Sequence, residues 1–188
     1  MNKPGQKKVD PKIMIIGAVV LVAAALFAYM NKETLEIMVK KTTGSETKDL
    51  LAMARAAEEG GDYDKALEYY NGYITVQPKE DPNLGNAYSG IGTIYFKQFK
   101  YHNAIQNFQK ALDHSTQFIG PESQEVSEHW YSLAAIYDKQ GEVKKALEHY
   151  KNSQAIKAKL GVDTDQVDQV ILELEDYMVN ANLESTTS

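Results

Sequence analysis

The side chains able to do chemistry are few and poorly spaced for it. His102, His114, His129 and His149 would be the first choices for a metal site or a general base. No two of them stand at the three- or four-residue step that lets a helix present a ligand pair. The chain has no cysteine, so a thiolate nucleophile, a thiolate metal ligand and a disulfide are all excluded. Ser89-Gly90-Ile91-Gly92 contains G-x-G but lacks the third glycine and the preceding strand of a dinucleotide-binding turn; Gly92 reads as a small packing position instead. Neither a G-x-S-x-G nucleophile turn nor a phosphate-binding G-x-x-x-x-G-K occurs. Glu58-Glu59 and the trio Glu173, Glu175 and Asp176 fit solvated faces of amphipathic helices, and His149 reads as a surface histidine. The expectation is a protein that is not an enzyme and uses no cofactor, no metal and no small-molecule substrate.

Charge narrows the partner. The net charge is −6. Lys3, Lys7, Lys8 and Lys12 face only Asp10 in the first dozen residues, which leaves 16 basic against 25 acidic side chains over the rest. An acidic domain neutralises phosphates poorly, so nucleic acid is not expected as a partner.

Ile13–Met30 reads IMIIGAVVLVAAALFAYM, without a charge. As a helix it would be roughly 27 Å long, close to the thickness of a bilayer core. The expectation is an uncleaved single-pass anchor; the alternative is a signal peptide cut near Ala23-Ala24-Ala25, against which the apolar run continues through Leu26 and Phe27. The leading lysines favour a cytoplasmic N-terminus and an extracytoplasmic remainder, periplasmic if the cell is bacterial.

The elements beyond it follow a repeat. Ala66 with Tyr70, Ala104 with Phe108, and Ala146 with Tyr150 recur at intervals of 38 and 42 residues. Each pair follows an apolar helical pattern and a turn: Gly60-Gly61, then a corner where Phe99 replaces glycine and must be built differently, then Gln140-Gly141. Small residues let paired helices approach closely while the aromatics fill the space beside them. DYDKALEYY (62–70) and GEVKKALEHY (141–150) resemble the second-helix pattern of the tetratricopeptide repeat (TPR) family. The stretches 118–126 and 160–167 resemble the extended loops of kinesin-light-chain-type TPRs. The second places Ile171, Leu174 and Met178 in register with Trp130, Leu133 and Tyr137.

The resulting expectation is an all-α chain: a basic tail (1–12), a transmembrane signal-anchor helix (13–30), a juxtamembrane helix and linker (31–46), three TPRs forming a right-handed superhelix (47–162), a capping helix (163–179) and a disordered tail (180–188). The resemblance implies a concave groove lined by the first helix of each repeat. It assigns Lys48, Leu51, Arg55 and Glu58–Glu59 from the first repeat; Asn86, Ser89, Thr93, Phe96 and Lys97 from the second; and Glu128, Tyr131, Ala135, Asp138 and Lys139 from the third. Phe96 and Tyr131 are the expected aromatic anchors, with packing into the fold as the competing role. Leu51, Arg55, Gly90, Glu128 and Ser132 stand where carboxylate-clamp TPRs need Lys, Asn and Arg, so binding of an acidic C-terminus in that manner is disfavoured. The implied function is a membrane-anchored scaffold that docks a protein or peptide, such as a subunit of a membrane or envelope complex. The alternatives are a cytosol-facing receptor for protein targeting or import, and a secreted soluble TPR factor.

Overall fold

A computed structural model describes residues 47–187. Among them are seven helices: α1 Thr47–Glu59, α2 Tyr63–Val76, α3 Leu84–Lys97, α4 Tyr101–Phe118, α5 Gln124–Lys139, α6 Val143–Leu160 and α7 Asp165–Thr187. They pair in chain order, α1 with α2, α3 with α4 and α5 with α6, and α7 lies against α6.

Pairing rests on small residues. Ala54, Ala66, Ala104, Ala134 and Ala146 are wholly buried, with Tyr70, Phe108 and Tyr150 nearly so. Gly92 has no room for a side chain: a Cβ there would come within 2.9 Å of the Phe108 ring. Buried apolar residues of α4 to α7 form two clusters. One joins Phe108 and Leu112 of α4 to Val126, Leu133 and Ile136 of α5. The other joins Ala134, Ala146 and Tyr150 to Val167, Ile171 and Leu174 of α7.

The three corners within the pairs share one geometry. Asp62 N–H donates to Ala57 C=O at 2.9 Å, Lys100 to Tyr95 at 2.9 Å and Glu142 to Tyr137 at 2.9 Å. This five-residue return is the Schellman turn, which puts the intervening residue in the left-handed region. Gly61 (φ 78°) and Gly141 (φ 74°) take that position in two corners, and Phe99 (φ 59°) takes it in the other. The Phe99 corner is thus built like its neighbours, contrary to the sequence expectation, with an aromatic residue in a glycine's conformation.

Three other expectations are corrected. The anchor at 13–30, with its flanks at 1–12 and 31–46, lies outside the described residues. Among the described residues no helix is long and apolar enough to cross a membrane. The longest of them, α4, α6 and α7, are interrupted throughout by polar and charged side chains. Among the described residues the fold is therefore the helical array, and the membrane-spanning architecture, with the localisation built on it, is not carried further. The long inter-repeat loops are also shorter than expected. α4 and α6 each extend to 18 residues, so only 119–123 and 161–164 remain between helices. Finally, α7 runs on to Thr187, through the stretch expected to fray. Its outer side is not wholly polar, since Leu172, Tyr177 and Val179 are exposed.

Candidate functional site

The candidate site is the row of outward positions on α1, α3 and α5. On α1, Leu51 is half-buried and Arg55 exposed; the surroundings of the Lys48 side chain lie outside the description. On α3, Asn86, Ser89 and Thr93 are half-buried, with the Thr93 hydroxyl donating to Ser89 C=O at 3.0 Å. On α5, Glu128 and Lys139 are exposed, and Tyr131, Ala135 and Asp138 are half-buried.

Some of these residues are brought together. Lys97 Nζ lies 2.9 Å from Glu58 Oε1 and 5.8 Å from the centroid of the Tyr63 ring. The other Glu58 oxygen accepts from Tyr70 Oη at 3.1 Å. Burial, reinforced by the Glu58 carboxylate, raises the Tyr70 phenol well above its ordinary pKa. The Tyr70 ring also floors α3: a Cβ at Gly90 would meet Tyr70 Cζ at 2.2 Å. Position 90 therefore has no space for a ligand-binding side chain, and Lys97 is a charge already compensated across the α1–α3 junction.

The two aromatic anchors are kept apart. Phe96 packs on the α4–α5 cluster, tilted against Tyr101 at 6.0 Å. Tyr131 packs on the α5–α7 cluster, edge-on to Tyr150 at 5.2 Å. Tyr131 also forms a recess of about 270 Å³ with Glu128, Ser132, Lys157 and Gln166, and Lys157 Nζ stands 5.6 Å from its ring centroid. Lys157 and Gln166 were missed in the sequence because they belong to a second helix and to the first turn of α7. Leu172 and Val179 were missed for another reason, although the 41-residue register step maps them onto Tyr131 and Asp138; α7 reads as a cap whose outer face should be polar.

Two of the histidines, His129 and His149, are built into the fold. His129 is buried on α5 with Nε2 3.0 Å from Ser115 Oγ. His149, expected at the surface, is half-buried edge-on between Trp130 at 5.0 Å and Tyr137 at 5.2 Å. Among the described residues no cluster of histidine and carboxylate could hold a metal ion.

Burial pushes the His129 imidazole down to about 4 and lowers His149 in the same direction. The unfolded chain takes up a proton near 6.5, so His129 contributes its full stability above that pH and loses it as pH falls from 6.5 towards 4. A loss of roughly 3 kcal/mol is expected across that window. Urea melts at stepped pH check it, and His129→Gln should flatten the dependence.

Residues 50–79 and residues 83–159 match family models that are both described as tetratricopeptide repeat, together more than half of the chain. The chain belongs to the tetratricopeptide repeat family. Neither match carries the kinesin-light-chain subtype, so that finer resemblance is withdrawn, in keeping with the short inter-helix segments. The TPR array is similar to the N-terminal domain of stress-induced protein-1 (STI-1) from C. elegans, at TM-score 0.57 and 19% identity over 70% of this chain and 98% of that one. It is similar to the Sgt2 TPR domain from Aspergillus fumigatus, at TM-score 0.55 and 18% identity over 73% and 82%. A third likeness is to the TPR2B-domain:pHsp70-complex of yeast Sti1, at TM-score 0.57 and 16% identity over 70% and 98%. No curated protein matches the chain in sequence. The TPR array is a protein–protein interaction scaffold, not a catalytic domain.

Proposed function

We propose that the TPR array binds an extended or helical segment of a partner protein along the face formed by α1, α3 and α5. The observation that carries this reading is the polar row Asn86, Ser89 and Thr93, half-buried on α3 and flanked by Arg55 on one side and the Tyr131 recess on the other. Short hydroxyl and amide side chains leave space for a ligand backbone and offer it both donors and acceptors.

No membrane anchor enters this reading. The solved relatives supply the same kind of module; one was determined as a complex with pHsp70. Recognition of a terminal carboxylate is not part of the reading, because Gly90 is covered by Tyr70 and leaves no side chain there to hold one. Arg55 and Lys139, both exposed, favour a segment with some acidic character, and such rim charges act more on association rate than on affinity. A photo-crosslinking residue at Ser89 is expected to join the partner covalently, whereas one at Gln109, exposed on α4, is not.

A further inference from the structure

The α3–α4 corner stands out against its two counterparts in the same molecule. All three close by the same five-residue hydrogen bond, and two use glycine at the left-handed position. Phe99 holds that position at φ 59°, a region that L-residues with a bulky side chain avoid because Cβ crowds the following carbonyl. The ring gains little packing in return. It is 78% exposed, with an edge-on contact to Tyr101 at 6.4 Å. Strained backbone and exposed aromatic surface both oppose the folded, unbound state, and strain of this kind collects where a protein binds something.

Charge says what the corner fits. From Pro82 to Leu112 the sequence contains no Asp or Glu, while it carries Lys97, Lys100 and Lys110, in a chain of net charge −6. Lys97 is taken by Glu58. Lys100, next to Phe99, lies 5.8 Å from the centroid of the Tyr95 ring and has no carboxylate partner among the described residues.

We propose that this corner, led by Phe99 and Lys100, is a second contact site, separate from the α1–α3–α5 face, for a protein segment that presents an aliphatic or aromatic side chain among carboxylates. The apolar side chain covers the Phe99 ring and the edge of Tyr101, and the carboxylates meet Lys100.

The test is selection of a random twelve-residue peptide display library on the full chain, with Phe99→Gly, Phe99→Asn and Lys100→Glu chains in parallel. The wild type is expected to enrich peptides with Leu, Phe or Trp beside Asp or Glu. The best of these, made individually, should bind Phe99→Gly and Phe99→Asn at least 10-fold more weakly, and Lys100→Glu more weakly too. In the same preparations Phe99→Gly should melt about 2–6 °C higher than the wild type, since glycine adopts the left-handed turn freely. Stability and binding then move in opposite directions, which a merely structural ring would not do. The proposal fails if no such peptides are enriched, if the enriched pool is basic, or if the peptides bind Phe99→Gly undiminished. It also fails if Phe99→Gly melts lower, which would make the ring part of the fold, or if wild-type chains self-associate through Phe99 in sedimentation.

Discussion

Removing residues 165–188, and α7 with them, is expected to abolish the cooperative unfolding of the third helix pair and to cause aggregation. Val167, Ile171 and Leu174 are buried against Ala134, Ala146 and Tyr150. Each buried aliphatic side chain of this size contributes about 1.5–3 kcal/mol, so the three supply roughly 4.5–9 kcal/mol as an upper figure. That is comparable with the whole net stability of a typical domain. Two polar links go with the helix, Lys151–Glu175 at 2.6 Å and Gln154–Asp168 at 2.6 Å. They add little, because exposed ion pairs are screened and surface hydrogen bonds are exchanged for water. Without α7 the array presents an apolar strip to solvent, which in repeat proteins drives association. Urea denaturation followed by helical signal, with sedimentation of the same samples, measures both effects. A truncated chain that stays monomeric and melts unchanged would show that α7 is not a cap.

Leu133→Ala is expected to destabilise the chain by about 2–5 kcal/mol, through lost burial and the cavity left behind. Leu133 is wholly buried in the α4–α5 cluster. From residue size alone Trp130→Ala should be the more damaging, at roughly 3–5 kcal/mol. The structure reverses the order. Trp130 is half-buried and packs at the margin of that cluster, with one side of its ring set edge-on to His149, so its removal opens a notch to solvent more than a cavity. A cost of about 1–3 kcal/mol is expected for it. Denaturant midpoints of the two variants decide the order; equal or inverted costs would mean that the α5–α6 junction is tighter than the half-buried indole implies.

What the sequence made legible was the helix pairing. Ala66, Ala104 and Ala146, each four residues before an aromatic ring, are sufficient to mark three close-packed pairs, since a small residue and a neighbouring ring have few other ways to fill one interhelical gap. The in-register Ile171 and Leu174 likewise marked α7. What remained illegible depended on backbone and on three-dimensional neighbours. Phe99 gives no local sign of a left-handed turn, because a turn normally announces itself through glycine or asparagine. The lengths of α4 and α6 were hidden by polar residues that helices and loops use equally. In the candidate site, the outward positions could be named from the repeat register, yet their partners could not. Nothing in the local sequence shows that Glu58 ties Lys97 and Tyr70 together, that Tyr70 covers Gly90, or that Lys157 stands over Tyr131. The apolar run at 13–30 was legible as composition, but it lies outside the described residues and does not enter the account of the array.

The claim that the α1–α3–α5 face is the binding surface is tested most directly by a map of photo-crosslinks made in cells. One photo-reactive residue is placed at a time at Arg55, Ser89 or Lys139, one from each helix pair, and in control chains at Gln109 or Glu148, exposed on second helices. All chains are first checked for an unchanged melting transition. The account predicts that the three face positions join one common partner, through peptides of a single contiguous segment, and that Gln109 and Glu148 do not. Crosslinks from Gln109 or Glu148 to that partner, with none from Arg55, Ser89 and Lys139, would contradict it and place binding on the opposite side of the array.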